Sequence, residues 1–138
     1  MIIFLDTDIL IDVALARHPW NVAAGDLLDI LEKRPGRTYI AWHSIANFYY
    51  IVKPIKGSLV AKDFIRDLLR FAKIAPTNSK DVFYALRLPL HDFEDALQCA
   101  AAIASGADFI VSQNLKNYRN SSVPARSPEA VLKILSVK

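Results

Sequence analysis

One cysteine, Cys99, in 138 residues leaves nothing for it to pair with, so no disulfide framework forms within the chain. No apolar run approaches the length that crosses a bilayer, which argues against a membrane-spanning helix. The opening MIIFLDTDIL has no basic leader and meets acid at its sixth residue, so it does not read as a secretory signal, and the cytoplasm is the expected location. Internal repeats, low-complexity tracts and interior linkers are missing too. Neither sign of charge is in large excess: a formal net charge of +3 permits a nucleic-acid partner without arguing for one. What is present is ordinary for a globular protein. With 53% hydrophobic and 22% charged residues, the chain is expected to fold as a single domain over residues 1–138 with a real core.

Short apolar runs alternate with amphipathic segments. Met1–Leu5 reads as a buried parallel strand, followed by a helix over ILIDVAL with Asp8 as its N-cap. Arg17-His18-Pro19 breaks that helix, and Asn21–Arg34 resumes as another, closed by Pro35-Gly36. Thr38–Trp42 is a second strand. Ser44 then caps an aromatic-rich helix, IANFYYIV, that is expected to end before Pro54. Leu59–Phe71 is amphipathic, with Phe64, Leu68 and Phe71 inward, and Lys73–Ala75 is a short strand. Thr77-Asn78-Ser79 caps a helix over Lys80–Arg87. In HDFEDALQCAAAIASGAD the recurrence of Leu97, Ala100, Ala101 and Ala104 gives a further helix, stopped by Gly106. FIV is the next strand, Lys116–Ser122 a polar loop, Val123–Arg126 an extended piece, and Ser127-Pro128-Glu129 the start of a last helix. Strands alternating with helices predict an α/β fold around a small parallel sheet.

Chemistry in such a fold belongs at the C-terminal ends of the strands. Asp6 falls at one of these ends. Asp92 and Asp95, i and i+3 at a helix start beside the polar strand tip SQN, point to neighbouring positions. Carboxylates gathered without a compensating base repel one another unless a cation neutralises them, and hard oxygen ligands suit Mg2+ or Mn2+. The same residues also read as structural: Asp8 and Asp92 as caps, Asp12 and Glu94 as solvated acids, Asp95 as a partner of the helix dipole. The residue pattern alone leaves both open.

FLDTDILID, HDFEDALQCAAAIASGAD, IVSQNLKNY and VPARSPEAVLKIL, in this order along nearly the whole chain, resemble the PIN domain family, in particular its bacterial branch of type II toxin–antitoxin toxins. The resemblance implies a three-layer α/β/α fold and metal-dependent cleavage of single-stranded RNA, with one or two Mg2+ or Mn2+ ions held at the C-terminal edge of the sheet. It also implies an antitoxin partner and a homodimer. Asp6 matches the family's first acid and Asp95 the acid of the central helix. Asp92 would be an additional ligand or an outer group, Ser112 matches a pocket-orienting Thr or Ser, and Asn114 stands where the family has Asp or Asn.

Two positions depart from that pattern. The family's second acid, a Glu on the helix after the second strand, corresponds here to Asn47 or its immediate vicinity, and the last position is Asn114 rather than Asp. With Asp6, Asp92 and Asp95 carrying the charge and Asp8 at the edge, the expectation is a one-metal site of reduced affinity. The alternative is a PIN-like RNA-binding module with weakened or lost cleavage. A third possibility is an unrelated α/β interaction protein whose acids are caps. Lys116 and Arg119, in the loop after Asn114, are the preferred candidates for phosphate contacts, ahead of Lys53, Lys56, Arg66 and Arg70, although each also reads as a solvated face residue. Tyr118 reads either as a base-stacking group or as part of the core. Trp42, Phe48, Tyr49 and Tyr50 read as core or subunit interface, and His43 and His91 as structural.

Overall fold

The structure, a computed structural model, describes residues 1–136. Its strands are β1 (Ile3–Leu5), β2 (Thr38–Ile40), β3 (Ala72–Ile74), β4 (Phe109–Val111) and β5 (Ala125–Arg126). They form one wholly parallel sheet in the order β3-β2-β1-β4-β5. Seven helices connect and cover it among the described residues: α1 (Thr7–Ala14), α2 (Trp20–Glu32), α3 (Trp42–Lys56), α4 (Ser58–Leu68), α5 (Ser79–Arg87), α6 (Phe93–Ala104) and α7 (Pro128–Ser136).

The period of two in a strand divides the core into two layers. Ile3, Leu5, Ile40 and Val111 point to one face, where they pack with Leu10, Leu27, Phe48, Val52, Leu68 and Val131 from α1, α2, α3, α4 and α7. Phe4 and Ile110 point to the other, against Ala101 and Ala102 of α6 and Tyr118. Central strands covered on both faces must be apolar throughout, which is why IFL and FIV carry no polar residue. Each fully buried Leu, Ile or Phe here is worth about 1.5–3 kcal/mol of transfer free energy. The three layers α/β/α are those the sequence predicts.

Strand order reverses around β1. Its neighbours are β2 on one side and β4 on the other, and open parallel sheets bind ligands at such a switch point, beyond the strands' C-terminal ends. Asp6 follows β1 immediately, and Ser112 follows β4.

Several boundaries differ from expectation. Asp6, not Asp8, holds the N-cap position of α1, and its side chain makes no capping bond because it is committed elsewhere. α3 begins at Trp42, so Ser44 is a buried first-turn residue rather than a cap. The same helix runs through Pro54 to Lys56. Pro54 has no N–H to offer the carbonyl of Tyr50, but Tyr50 is on the exposed face, where water can satisfy that oxygen. In α6 the buried set is Ala96, Cys99, Ala100, Ala101 and Ala102 with Asp95 and Gln98, while Leu97 and Ala104 are only half-buried. The helix packs against α5 on one side and β2, β4 and the turn after β4 on the other, so small residues are needed around more than one stripe. Asn78 does cap α5 through a reciprocal capping box with Asp81. Gly106, at φ +67°, follows the α6 terminus in the left-handed region that glycine adopts without strain.

Candidate functional site

Asp6 is the hub of the site. It is 4% exposed, at the end of the central strand. Its Oδ2 accepts hydrogen bonds from Ser112 Oγ at 2.8 Å and Tyr118 OH at 3.0 Å, and its Oδ1 accepts one from Gln98 Nε2 at 3.3 Å. The same tyrosine hydroxyl is 3.3 Å from Asp95 Oδ1, which joins the two acids through one donor. Tyr118 reaches them from a short 3₁₀ turn, Leu115–Tyr118, placed by β4 alongside β1.

Asp6, Asp8, Asn47, Glu94, Asp95 and Asn114 line one cavity of about 210 Å³ at this edge of the sheet, together with Thr7, Ile11 and Ile51. No Lys, Arg or His is among its lining residues. Asp8 accepts a hydrogen bond from Asn114 Nδ2 at 3.0 Å through Oδ2, and its buried Oδ1 has no partner among the described residues. Asp92 caps α6: its Oδ1 accepts from the backbone N–H of Glu94 at 2.8 Å and of Asp95 at 3.3 Å. Carboxylate oxygens of Asp92, Glu94 and Asp95 approach within 4.8 Å of one another at the positive end of the helix.

Crowding acids out of water makes them hold their protons. Burial first, and then repulsion from Asp6 and Asp12, pushes Asp8 up to about 8. Asp95 is pushed up to about 6 by burial and by the charges of Asp6, Asp92 and Glu94, against the hydrogen bond from Tyr118. Asp6 is raised as well, chiefly by burial, despite bonds from Ser112 and Tyr118 that favour its anion. Burial and the adjoining anions likewise keep the Tyr118 phenol protonated, as a donor between two carboxylates must be.

This donor set suits a hard divalent cation. It offers oxygen ligands, carries several carboxylates, has no Lys, Arg or His in its lining, and leaves Asp8 Oδ1 without a partner among the described residues. A divalent cation in this cavity would meet the carboxylates of Asp6, Asp8, Glu94 and Asp95 that line it.

Sequence-selected residues thus fall into three groups. Asp6, Asp8, Asp95, Asn47 and Asn114 share the cavity, and Ser112 is bonded directly to Asp6. Asp92 lies at the helix cap beside it and is absent from the cavity lining. Lys116 and Arg119 are exposed on the turn that follows Asn114. Arg66 and Arg70 pair with Asp63 and Asp67 of their own helix region, and Lys53 stacks over Tyr49 at 5.9 Å from the ring centre. Glu94, Gln98 and Tyr118 join the site in roles that the sequence alone does not assign them. Tyr118 is buried, not free to stack on a base. The i, i+4 spacing of Glu94 and Gln98 was the available signal for their pairing. His43 also belongs here, its Nε2 lying 2.7 Å from Glu94 Oε2, whereas His91 is exposed. Of the aromatic group, Phe48 is core, Tyr49 half-buried, and Trp42 and Tyr50 are more than 70% exposed.

The family model described as the PIN domain matches residues 2–116. The chain belongs to the PIN domain family. Solved structures similar to this PIN domain include VapBC2 from Rickettsia felis bound to a DNA fragment from their promoter, with TM-score 0.71 and 23% identity over 92% of this chain and 98% of that one. VapC20 from Mycobacterium tuberculosis, a Sarcin–Ricin loop cleaving toxin, aligns with TM-score 0.63 and 16% identity over 78% of this chain and 86% of its own. FitAB bound to an IR36 DNA fragment gives TM-score 0.65 and 15% identity over 92% and 95%. At these identities the likeness is one of fold. No curated protein matches the chain.

Proposed function

We propose that this PIN domain is a divalent-metal-dependent endonuclease of single-stranded RNA and the toxin of a type II toxin–antitoxin pair. The observation that carries this is the joining of Asp6 and Asp95, from β1 and α6, by one tyrosine hydroxyl at the edge of a cavity lined by acids and no base. Mg2+ or Mn2+ bound there would supply a water acidic enough to attack phosphorus and would shield the charge of the phosphodiester.

The chain's own groups divide the remaining work. Asp6 and Asp95 would hold the cation, with Asp92 an outer acid and Asn114 an uncharged oxygen at the rim. Ser112 and Tyr118 fix the rotamer of Asp6 by donating to the same oxygen. Lys116 and Arg119 would meet backbone phosphates on either side of the scissile bond. An antitoxin partner is supported by the fold shared with VapBC2 and FitAB, and the RNA substrate by the fold shared with VapC20. The exposed Trp42 and Tyr50 favour a homodimer. Among the described residues, no helix is long and apolar enough to cross a membrane, in keeping with a cytoplasmic site of action.

A fluorescent single-stranded RNA titrated with Mn2+ or Mg2+ tests the proposal. Cleavage that requires the ion and falls about 100-fold or more in Asp6→Asn and Asp95→Asn is the expected outcome. Cleavage unchanged in both variants would exclude the nuclease. The amides at Asn47 and Asn114 favour a second reading, an RNA-binding module with weakened cleavage. Metal-dependent RNA binding without turnover would establish that one instead.

A further inference from the structure

The family resemblance expects a carboxylate on the helix after β2, and α3 offers Asn47 in its place. Asn47 lines the same cavity as Glu94, which approaches from the first turn of α6. A first-turn glutamate beside Asp95 would ordinarily swing out into water, because adjacent helix positions point about 100° apart. Glu94 is held instead. Its Oε2 accepts from Gln98 Nε2 at 2.8 Å and lies 2.7 Å from His43 Nε2, while Oε1 has no hydrogen bond from the protein among the described residues.

Gln98 is fully buried, and its amide nitrogen is also within 3.3 Å of Asp6 Oδ1, 2.8 Å of Thr7 Oγ1 and 3.2 Å of Ser44 Oγ. One amide therefore spans the starts of α1, α3 and α6 and ties Glu94 to Asp6. Its own buried Oε1 has no partner among the described residues, a cost offset by presenting both hydrogens to this cluster of oxygens. Such anchoring of one carboxylate oxygen, with the other left free, is how outer groups orient a metal ligand.

We propose that Glu94 supplies the carboxylate that α3 lacks, so that Asp6, Glu94 and Asp95 form the cation-binding set. This rests on the metal-site assignment above. The test reads metal binding rather than cleavage: free Mn2+ counted by electron paramagnetic resonance, with the Mn2+-induced rise in melting temperature as a second measure. Glu94→Gln keeps size and hydrogen bonding but removes the charge. It is expected to weaken Mn2+ binding at least about tenfold, whereas Glu32→Gln, at the separate cavity between α2 and α4, leaves it unchanged. Adding Asn47→Glu to Glu94→Gln is expected to restore most of the loss. Parental affinity in Glu94→Gln while Asp95→Asn binds poorly would overturn the role of Glu94 and leave the metal site standing. A failure of Asn47→Glu to recover any affinity would overturn the exchange of positions. Absence of Mn2+ binding in the parent chain would remove the metal site itself, and this proposal with it.

Discussion

Tyr118 donates to Asp6 across 3.0 Å from a turn that no local pattern ties to β1. Its hydroxyl has one proton and two carboxylates in reach, the second being Asp95 at 3.3 Å. The tyrosine thus sets the separation of the two acids and relieves part of their repulsion. Tyr118→Phe removes the donor without opening a cavity. It is expected to cost about 1–3 kcal/mol at pH 8 in EDTA, the penalty for a buried group left without its partner. The loss should be smaller at pH 5, where Asp95, pushed up to about 6, holds a proton and the repulsion that the tyrosine relieves is reduced. Urea melts at the two pH values measure this, and equal losses would show that the bond does not depend on carboxylate charge.

The raised acids make a prediction about stability in the absence of metal. An unfolded aspartate releases its proton near pH 3.9, whereas Asp95 holds its own up to about 6 and Asp8 up to about 8. Between those limits the folded chain binds more protons than the unfolded chain, so stability falls as pH rises. The melting temperature in EDTA should therefore decline by at least a few degrees from pH 5 to pH 8. Millimolar Mn2+ should flatten the decline, because the cation replaces the protons. A melting temperature that climbs with pH in EDTA would contradict the burial of these acids.

How much of this was legible in the sequence follows from the range of each signal. Asp6 and Asp95 stand out in the sequence because a strand end and a helix start are local features, and the alternation of strands and helices carries the layers. Glu94 reads in the sequence as an acid open to solvent, since adjacent helix positions point about 100° apart. Contact with His43 of α3, distant in sequence, joins the bond from Gln98 in holding it at the cavity. Gln98 sits in a run of alanines and reads as an interruption of an apolar face until Thr7, Ser44 and Asp6 are brought to it. Pro54 is a stop signal in the sequence that α3 overrides, since a proline inside a helix costs less when the carbonyl it abandons faces water.

Core packing gives a control that is independent of the site. Phe48 is 1% exposed and stacks on Phe64 with ring centres 4.8 Å apart, between α3 and α4. Phe48→Ala should cost about 3–5 kcal/mol through lost transfer energy and the cavity left behind. Denaturant midpoints should shift accordingly, with Mn2+ binding to the remaining folded protein unchanged. Loss of Mn2+ affinity in this variant while it is still folded would mean that the site depends on α3 more than its contacts indicate.

Asn114 offers the sharpest separation of stability from function. Its amide nitrogen donates to Asp8 at 3.0 Å, so the residue supports the acid that burial and neighbouring charge already hold up to about 8. Asn114→Asp exchanges that donor for a second carboxylate facing Asp8. Without metal the two must share a proton or repel, so the melting temperature in EDTA at pH 8 should fall below that of the parent. With Mn2+ the added charge becomes an attraction, and the rise in melting temperature on adding the ion should exceed the parent's. The two shifts have opposite sign and come from one pair of measurements. A variant that is destabilised in EDTA yet gains nothing from Mn2+ would show that position 114 does not face the cation, and would leave Asn114 as a brace for Asp8 alone.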